Sequence, residues 1–182
     1  YRGINTAFTI HNLRYQGIFG WDFVSELLGL PADCFTPDKL EFSGCVNYMK
    51  AGLVYADKIT TVSPTYANEI QTPQYGEGLS GLLRARSNDL FGIMNGLDLS
   101  AYDPGTDSLL PARFSPSSMA GKALCKAALR AEMGLAAGGE ANDMPVIGMV
   151  TRFTGQKGLD LVECVINDIM RANVQLAVLG AG

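Results

Sequence analysis

The chain has 182 residues, 47% hydrophobic and 18% charged, enough apolar matter for a buried core and too much for a disordered segment. Eighteen acidic residues against fourteen basic ones give a net charge of −4, which argues against a nucleic-acid binder held by bulk positive charge but leaves room for a local basic cluster around a phosphate. The 21 glycines follow no collagen-like period, no heptad pattern marks a coiled coil, and no run of 18 apolar residues is present to span a membrane.

Along the chain the hydrophobic period alternates between strand-like and helix-like. Ile4–Ile10 reads as a buried strand and Asp22–Leu28 as a short helix stopped by Gly29 and Pro31. Val46–Ala56 is the next helix, followed by a β-branched strand over Lys58–Val62. Ser63-Pro64 reads as an N-cap and first helical residue, opening a helix to Ile70. Leu90–Met94 is a short strand closed by an Asn95-Gly96 turn, and Asp103-Pro104-Gly105 is a second turn. Ser115-Pro116 repeats the cap pattern and predicts a helix to Met133, ended by Gly134. Pro145–Val150 is an apolar strand, Gly158–Ala172 a helix with Val162, Val165, Ile166 and Ile169 on one face, and Val174–Leu179 another strand. Strand, helix and strand in that order make a βαβ unit, so the expected class is α/β with a parallel sheet.

The first residue is Tyr1, not Met, and the last three, Gly180-Ala181-Gly182, directly follow a core-like strand; an internal fragment of a longer chain is the expectation. Cys34, Cys45, Cys125 and Cys164 match no CxxC or zinc spacing and His11 is the only histidine, so buried free thiols and no metal site are expected.

Two segments carry chemistry. Thr151–Gly158 (TRFTGQKG) joins a strand to a helix, the place where open α/β sheets bind ligands. There the unpaired N–H groups of a helix N-terminus, the fork of Arg152, the ammonium of Lys157 and the small Gly155 and Gly158 compose a diphosphate cradle. The same spacing also fits a solvated loop with two surface cations. GxxxxGK[ST] does not occur and no GxGxxG follows a strand, which disfavours a P-loop and a nicotinamide site. The second segment is His11 with Asn12, Tyr15, Gln16 and Gly17, where a strand-terminal His-Asn can present donors to a sugar or simply cap the strand.

Four blocks in order, Thr6–Gly17 (TAFTIHNLRYQG), Asn47–Ile70 (NYMKAGLVYADKITTVSPTYANEI), Ile93–Asp98 (IMNGLD) and Val150–Leu161 (VTRFTGQKGLDL), resemble the bacterial glycogen synthases, with plant starch synthases as near kin. Glu69–Arg86 leans toward the bacterial enzymes that use ADP-glucose. The resemblance implies a GT-B fold, two Rossmann-like domains facing a cleft, with residues 1–94 ending the first domain and residues 95–182 starting the second. It implies a glycosyltransferase that moves glucose from ADP-glucose to the non-reducing end of an α-1,4-glucan with retention, without a metal or other cofactor. By resemblance Arg152 and Lys157 hold the donor diphosphate with Gly155 and Gly158, His11 lies beside the donor glucose, Asn95 sits near the transferred sugar at the domain junction, and Tyr15 and Gln16 line the acceptor side. The implied partners are ADP-glucose and glycogen or maltooligosaccharide, with neither nucleic acid nor membrane, in a bacterial cytoplasm or, for a plant-type relative, a plastid.

The family's Lys-Thr-Gly-Gly and Glu-Pro-Cys-Gly-Leu segments do not occur here, and Phe153 stands where relatives often carry Leu. The isolated chain is therefore expected to lack part of the site, to be weakly active or inactive, and to be marginally stable. A non-catalytic ADP- or glucan-binding module of the same ancestry, and an unrelated Rossmann-type transferase using another sugar nucleotide, are the alternative readings.

Overall fold

The computed structural model describes residues 3–182, the side chain of Phe23 excepted. The chain divides into two compact units, the first running to Gly96 and the second spanning Leu97–Gly182.

The first unit is built on a three-stranded parallel sheet in the order β1 (Ala7–Ile10), β5 (Lys58–Thr61), β6 (Leu90–Gly92). Its register runs from Ala7↔Lys58 to Ile10↔Thr61, and from Ile59↔Leu90 to Thr61↔Gly92. The buried Thr61 hydroxyl donates to the Ile10 carbonyl at 2.8 Å, fastening the carboxyl ends of β1 and β5. Helices α2 (Tyr48–Tyr55), α3 (Pro64–Glu69) and α4 (Ser80–Ala85) supply the apolar cover, and Ile10, Leu13, Leu53, Ile59, Ile70, Leu79 and Leu83 form the core. A smaller antiparallel sheet, β2 (Ile18–Phe19), β4 (Cys45–Asn47) and β3 (Glu41–Phe42), packs with α1 (Trp21–Leu28) around Val24, Leu40 and Val46. The rings of Trp21 and Phe35 stack beside this second cluster at 5.0 Å.

Polar staples close the opposite, amino-terminal edge of the parallel sheet. The Asp57 carboxylate accepts from the backbone N–H and hydroxyl of Thr6 at 2.7 and 2.9 Å. Arg86 donates to the Leu53 and Ala56 carbonyls at 2.7 and 2.8 Å, gathering the free end of α2. It also pairs with Asp89, which takes a second cation from Lys58. These bonds hold both carboxyls below their ordinary value of 3.8, Asp57 chiefly through Thr6 and Asp89 chiefly through Lys58.

The second unit contains α5 (Ala120–Glu132) and a βαβ crossover of β7 (Val146–Val150), α6 (Leu159–Arg171) and β8 (Gln175–Leu179). The strands are parallel in register from Val146↔Gln175 to Val150↔Leu179. Pairing continues past them, with Thr151 donating to the Leu179 carbonyl and Phe153 to that of Ala181. Among its described residues Ala177 is the only buried apolar one, whereas Arg130 and Gln175 are buried and bonded to each other at 2.6 Å. Arg130 also donates to the Met144 carbonyl at 2.8 Å, so a guanidinium and a carboxamide knit α5 and the 136–144 loop to the start of β8.

Several expectations need correction. The first strand begins at Ala7; Ile4 is exposed, because the Thr6 amide goes to Asp57. Only Ile10 of that strand is fully buried. Val46 is a strand residue and the helix starts at Tyr48, capped by the Asn47 side chain. Asn95-Gly96 makes no turn; the chain runs on irregularly and turns at Leu99–Tyr102 around Asp98, whose carboxylate accepts from the Ser100 and Ala101 amides. Ser115-Pro116 does not cap a helix, since Ser115 pairs with Ser118 and α5 starts at Ala120. The four cysteines are free, but none is buried and Cys164 is exposed.

Because Asp57 and Asp89 ionise more readily in the folded chain, their contribution is present above the ordinary carboxylate range and is lost as pH falls through the lowered folded values. The melting temperature of the first unit should therefore fall below about pH 4, and Asp57→Asn should flatten that dependence in a pH series of thermal melts. Hydrogen exchange should show the amides of β7 and β8 exchanging faster than those of β1 and β5, since few apolar side chains shield them.

Candidate functional site

The parallel sheet of the first unit delivers His11 and the segment leading to Asn95 to the same edge, because β1 and β6 flank β5 in register and end beside it. Ile93 extends that pairing by donating to the Thr61 carbonyl at 2.8 Å. His11 and Asn95 are both exposed there.

The loop after β1 is anchored at two points. Leu13 is wholly buried, and its amide donates to the Tyr66 hydroxyl at 3.1 Å. Gln16 is also buried, and its carboxamide donates to the Glu77 carbonyl at 2.8 Å while accepting from the Asn47 side chain. Between these anchors Tyr15 stands 65% exposed. Gly17 takes a left-handed conformation, φ +64°, and its carbonyl accepts from Tyr48. Of the two residues expected on the acceptor side, Tyr15 is presented to solvent, and Gln16 is committed to bonds inside the unit.

In the second unit Arg152, Gly155, Lys157 and Gly158 come together in the connection between β7 and α6. Residues Gly155–Lys157 form one turn of 3-10 helix, preceded by an extended Thr154. Gly158 then adopts φ +68° and caps α6, a conformation that strains any residue with a Cβ. A Cβ at Gly155 would meet no atom within 4 Å, so its backbone is open to approach. The Arg152 and Lys157 side chains are exposed. The first amides of α6 add the partial positive charge of a helix N-terminus, with the exposed Asp160 carboxylate in the same turn. Two open cations, an open glycine backbone and a helix N-terminus at the carboxyl end of a parallel strand can hold a diphosphate. An apolar groove in this unit, lined by Phe114, Cys125, Leu129 and Val146, includes none of these residues.

Sequence reasoning passed over Asn47 and Glu77. An Asn directly before an apolar helix and three residues ahead of Lys50 is an N-cap signal. Nothing in the sequence marks the Glu77 carbonyl as an acceptor, because it is a backbone group in an irregular loop.

Residues 1–85 match the family model described as the starch synthase catalytic domain. Glycogen synthase of Geobacillus thermodenitrificans is 52% identical over 182 residues, and that of Anaeromyxobacter sp. (strain Fw109-5) is 51% identical over 180. These alignments take in 99–100% of this chain. Over its whole length the chain is similar to the glycogen and starch synthases. It spans 37% of the length of those two curated relatives. Among solved structures, the catalytic domain of starch synthase IV from Arabidopsis thaliana, bound to ADP and acarbose, superposes with a TM-score of 0.87 at 34% identity. That match covers 97% of this chain and 36% of the other. The fold class is accordingly α/β of GT-B type.

Gly158→Ala should destabilise the second unit by about 1–2 kcal/mol, the cost of placing a Cβ in the left-handed region. Urea titration followed at α6 checks this, and Gly155→Ala should cost much less.

Proposed function

We propose that these residues form part of an enzyme that transfers glucose from ADP-glucose to the non-reducing end of an α-1,4-glucan with retention. The observation that carries the reading is the β7–α6 turn, in which Arg152 and Lys157 are exposed and a Cβ at Gly155 would meet no atom within 4 Å. A chain 34% identical, seen bound to ADP and acarbose, supports it.

Breaking the glucosyl–phosphate bond leaves the electron pair on the diphosphate and positive charge on the sugar ring. Arg152 and Lys157 meet the growing negative charge, and fixed cations placed where charge develops act chiefly in the transition state. With the N-terminus of α6 they do the neutralising that a metal would otherwise do. Gly155 and Gly158 let the phosphates reach the backbone. His11 orients the donor glucose and stabilises charge at the reacting centre, Asn95 contacts the transferred sugar, and Tyr15 offers its ring to the glucan. Gln16 serves the acceptor side through the loop it holds. In this reading the chain is a segment of the enzyme, residues 1–94 closing one domain and residues 95–182 opening the next.

The complete protein that carries these residues should transfer glucose from ADP-glucose to glycogen. Arg152→Ala and Lys157→Ala should each lower kcat by roughly 10²–10³-fold, as removal of one preorganised oxyanion donor does. Soluble complete protein inert with both ADP-glucose and UDP-glucose overturns the reading.

A second reading, binding without transfer, is favoured by one fact, that the chain spans 37% of its curated relatives. It predicts that the 182-residue chain binds ADP in a calorimeter, that Lys157→Ala abolishes the binding, and that the complete protein shows no turnover.

A further inference from the structure

A chain of hydrogen bonds runs through the first unit with a fixed direction. The Lys50 amide donates to the Asn47 Oδ1 at 2.9 Å. The Asn47 Nδ2 donates to the Gln16 Oε1, and the Gln16 Nε2 donates to the Glu77 carbonyl at 2.8 Å. Both ends of the relay are backbone groups that cannot exchange roles: an N–H only donates and a carbonyl only accepts. The two carboxamides between them can therefore be satisfied in one orientation only.

Asn47 is wholly buried and Gln16 92% so, judging by its 8% relative exposure, and no water is needed to complete either bond. The Met49 amide donates to the Gln16 carbonyl at 2.9 Å and the Tyr48 amide to that of Gly17 at 3.1 Å, so the first turn of α2 grips the same loop by its backbone. At the far end Glu77 is held at φ +45°, a left-handed conformation for a residue with a side chain, between Gly76 and Gly78. The relay thus clamps residues 12–17 between the N-terminus of α2 and the 76–79 loop. His11 and Tyr15 are exposed residues that lead into the buried Gln16.

We propose that Gln16 and Asn47 are positioning residues for sugar transfer, acting through the loop that presents His11 and Tyr15. The proposal rests on the reaction assigned above. Displacing a group next to the reacting centre by about 1 Å costs on the order of a hundredfold in rate, so the relay should govern kcat more than donor binding, which Arg152 and Lys157 supply.

The test uses the complete protein, ADP-glucose and glycogen. Gln16→Met keeps the length of the side chain and removes both bonds. Asn47→Ser keeps an oxygen to cap the Lys50 amide but is too short to reach Gln16, and it carries the test if Gln16→Met fails to fold. Each variant should lower kcat by about tenfold or more with the ADP-glucose KM within about twofold of wild type. In a His11→Ala background the same substitutions should change kcat much less, because the group they position is gone. A merely structural role predicts full additivity with His11→Ala; that result, or unchanged kcat in the folded variants, overturns the proposal alone. An inert wild type overturns the assigned reaction and this proposal with it.

Discussion

The first unit depends on the central strand β5. It is the only strand of the parallel sheet bonded on both sides, and its register decides where its neighbours end. The period of side chains along a strand is two, so a slip of one residue would turn Ile59 out of the core and Thr60 into it. Thr61 guards against that slip at one end, through its hydroxyl bond to Ile10, and Asp57 and Lys58 at the other, through Thr6 and Asp89. His11 occupies its place at the sheet edge as a result of this register.

The chain is acidic overall, yet its cations are mostly committed to building the fold. Lys50 reaches the Pro37 and Glu41 carbonyls, Arg86 gathers the end of α2, and Arg130 ties α5 to the Asn142 and Met144 carbonyls. In each case backbone carbonyls, already partly negative and short of donors, receive the charge. Arg152 and Lys157 differ in being exposed, in the loop that leads into the N-terminus of α6. The contrast is physical: a guanidinium surrounded by fixed carbonyls is a strut, whereas one beside an open helix N-terminus adds to a positive field that a diphosphate can complete.

Much of this was legible in the residues. Ser63-Pro64 announced a capped helix, and the Ser63 hydroxyl does accept from Tyr66. The β7–α6–β8 crossover followed from an apolar run, a 3.6-residue stripe and a second apolar run. What was not legible has a common cause. Strands β2, β3 and β4 are two or three residues long, too short to show a period, and they exist because Val46 and its neighbours bury one face against α1. Ser115-Pro116 looked like Ser63-Pro64, but the Ser115 amide and carbonyl pair with Ser118, so the turn is completed before a helix can start. The buried amide relay leaves no mark in the sequence for a further reason: it joins positions far apart in sequence, and each member looks like an ordinary surface residue.

One contact near that relay sets a dimension. On α2, Gly52 lies so close to Phe8 of β1 that a Cβ there would fall 2.3 Å from the ring. The absence of a side chain lets the helix settle onto the sheet with the aromatic ring as a spacer. Alanine in place of a helical glycine is a common route to a more stable protein, and here that route is closed unless Phe8 is made smaller as well. The two positions are a matched pair, and a designer wishing to stiffen this helix would have to recut the strand beneath it first.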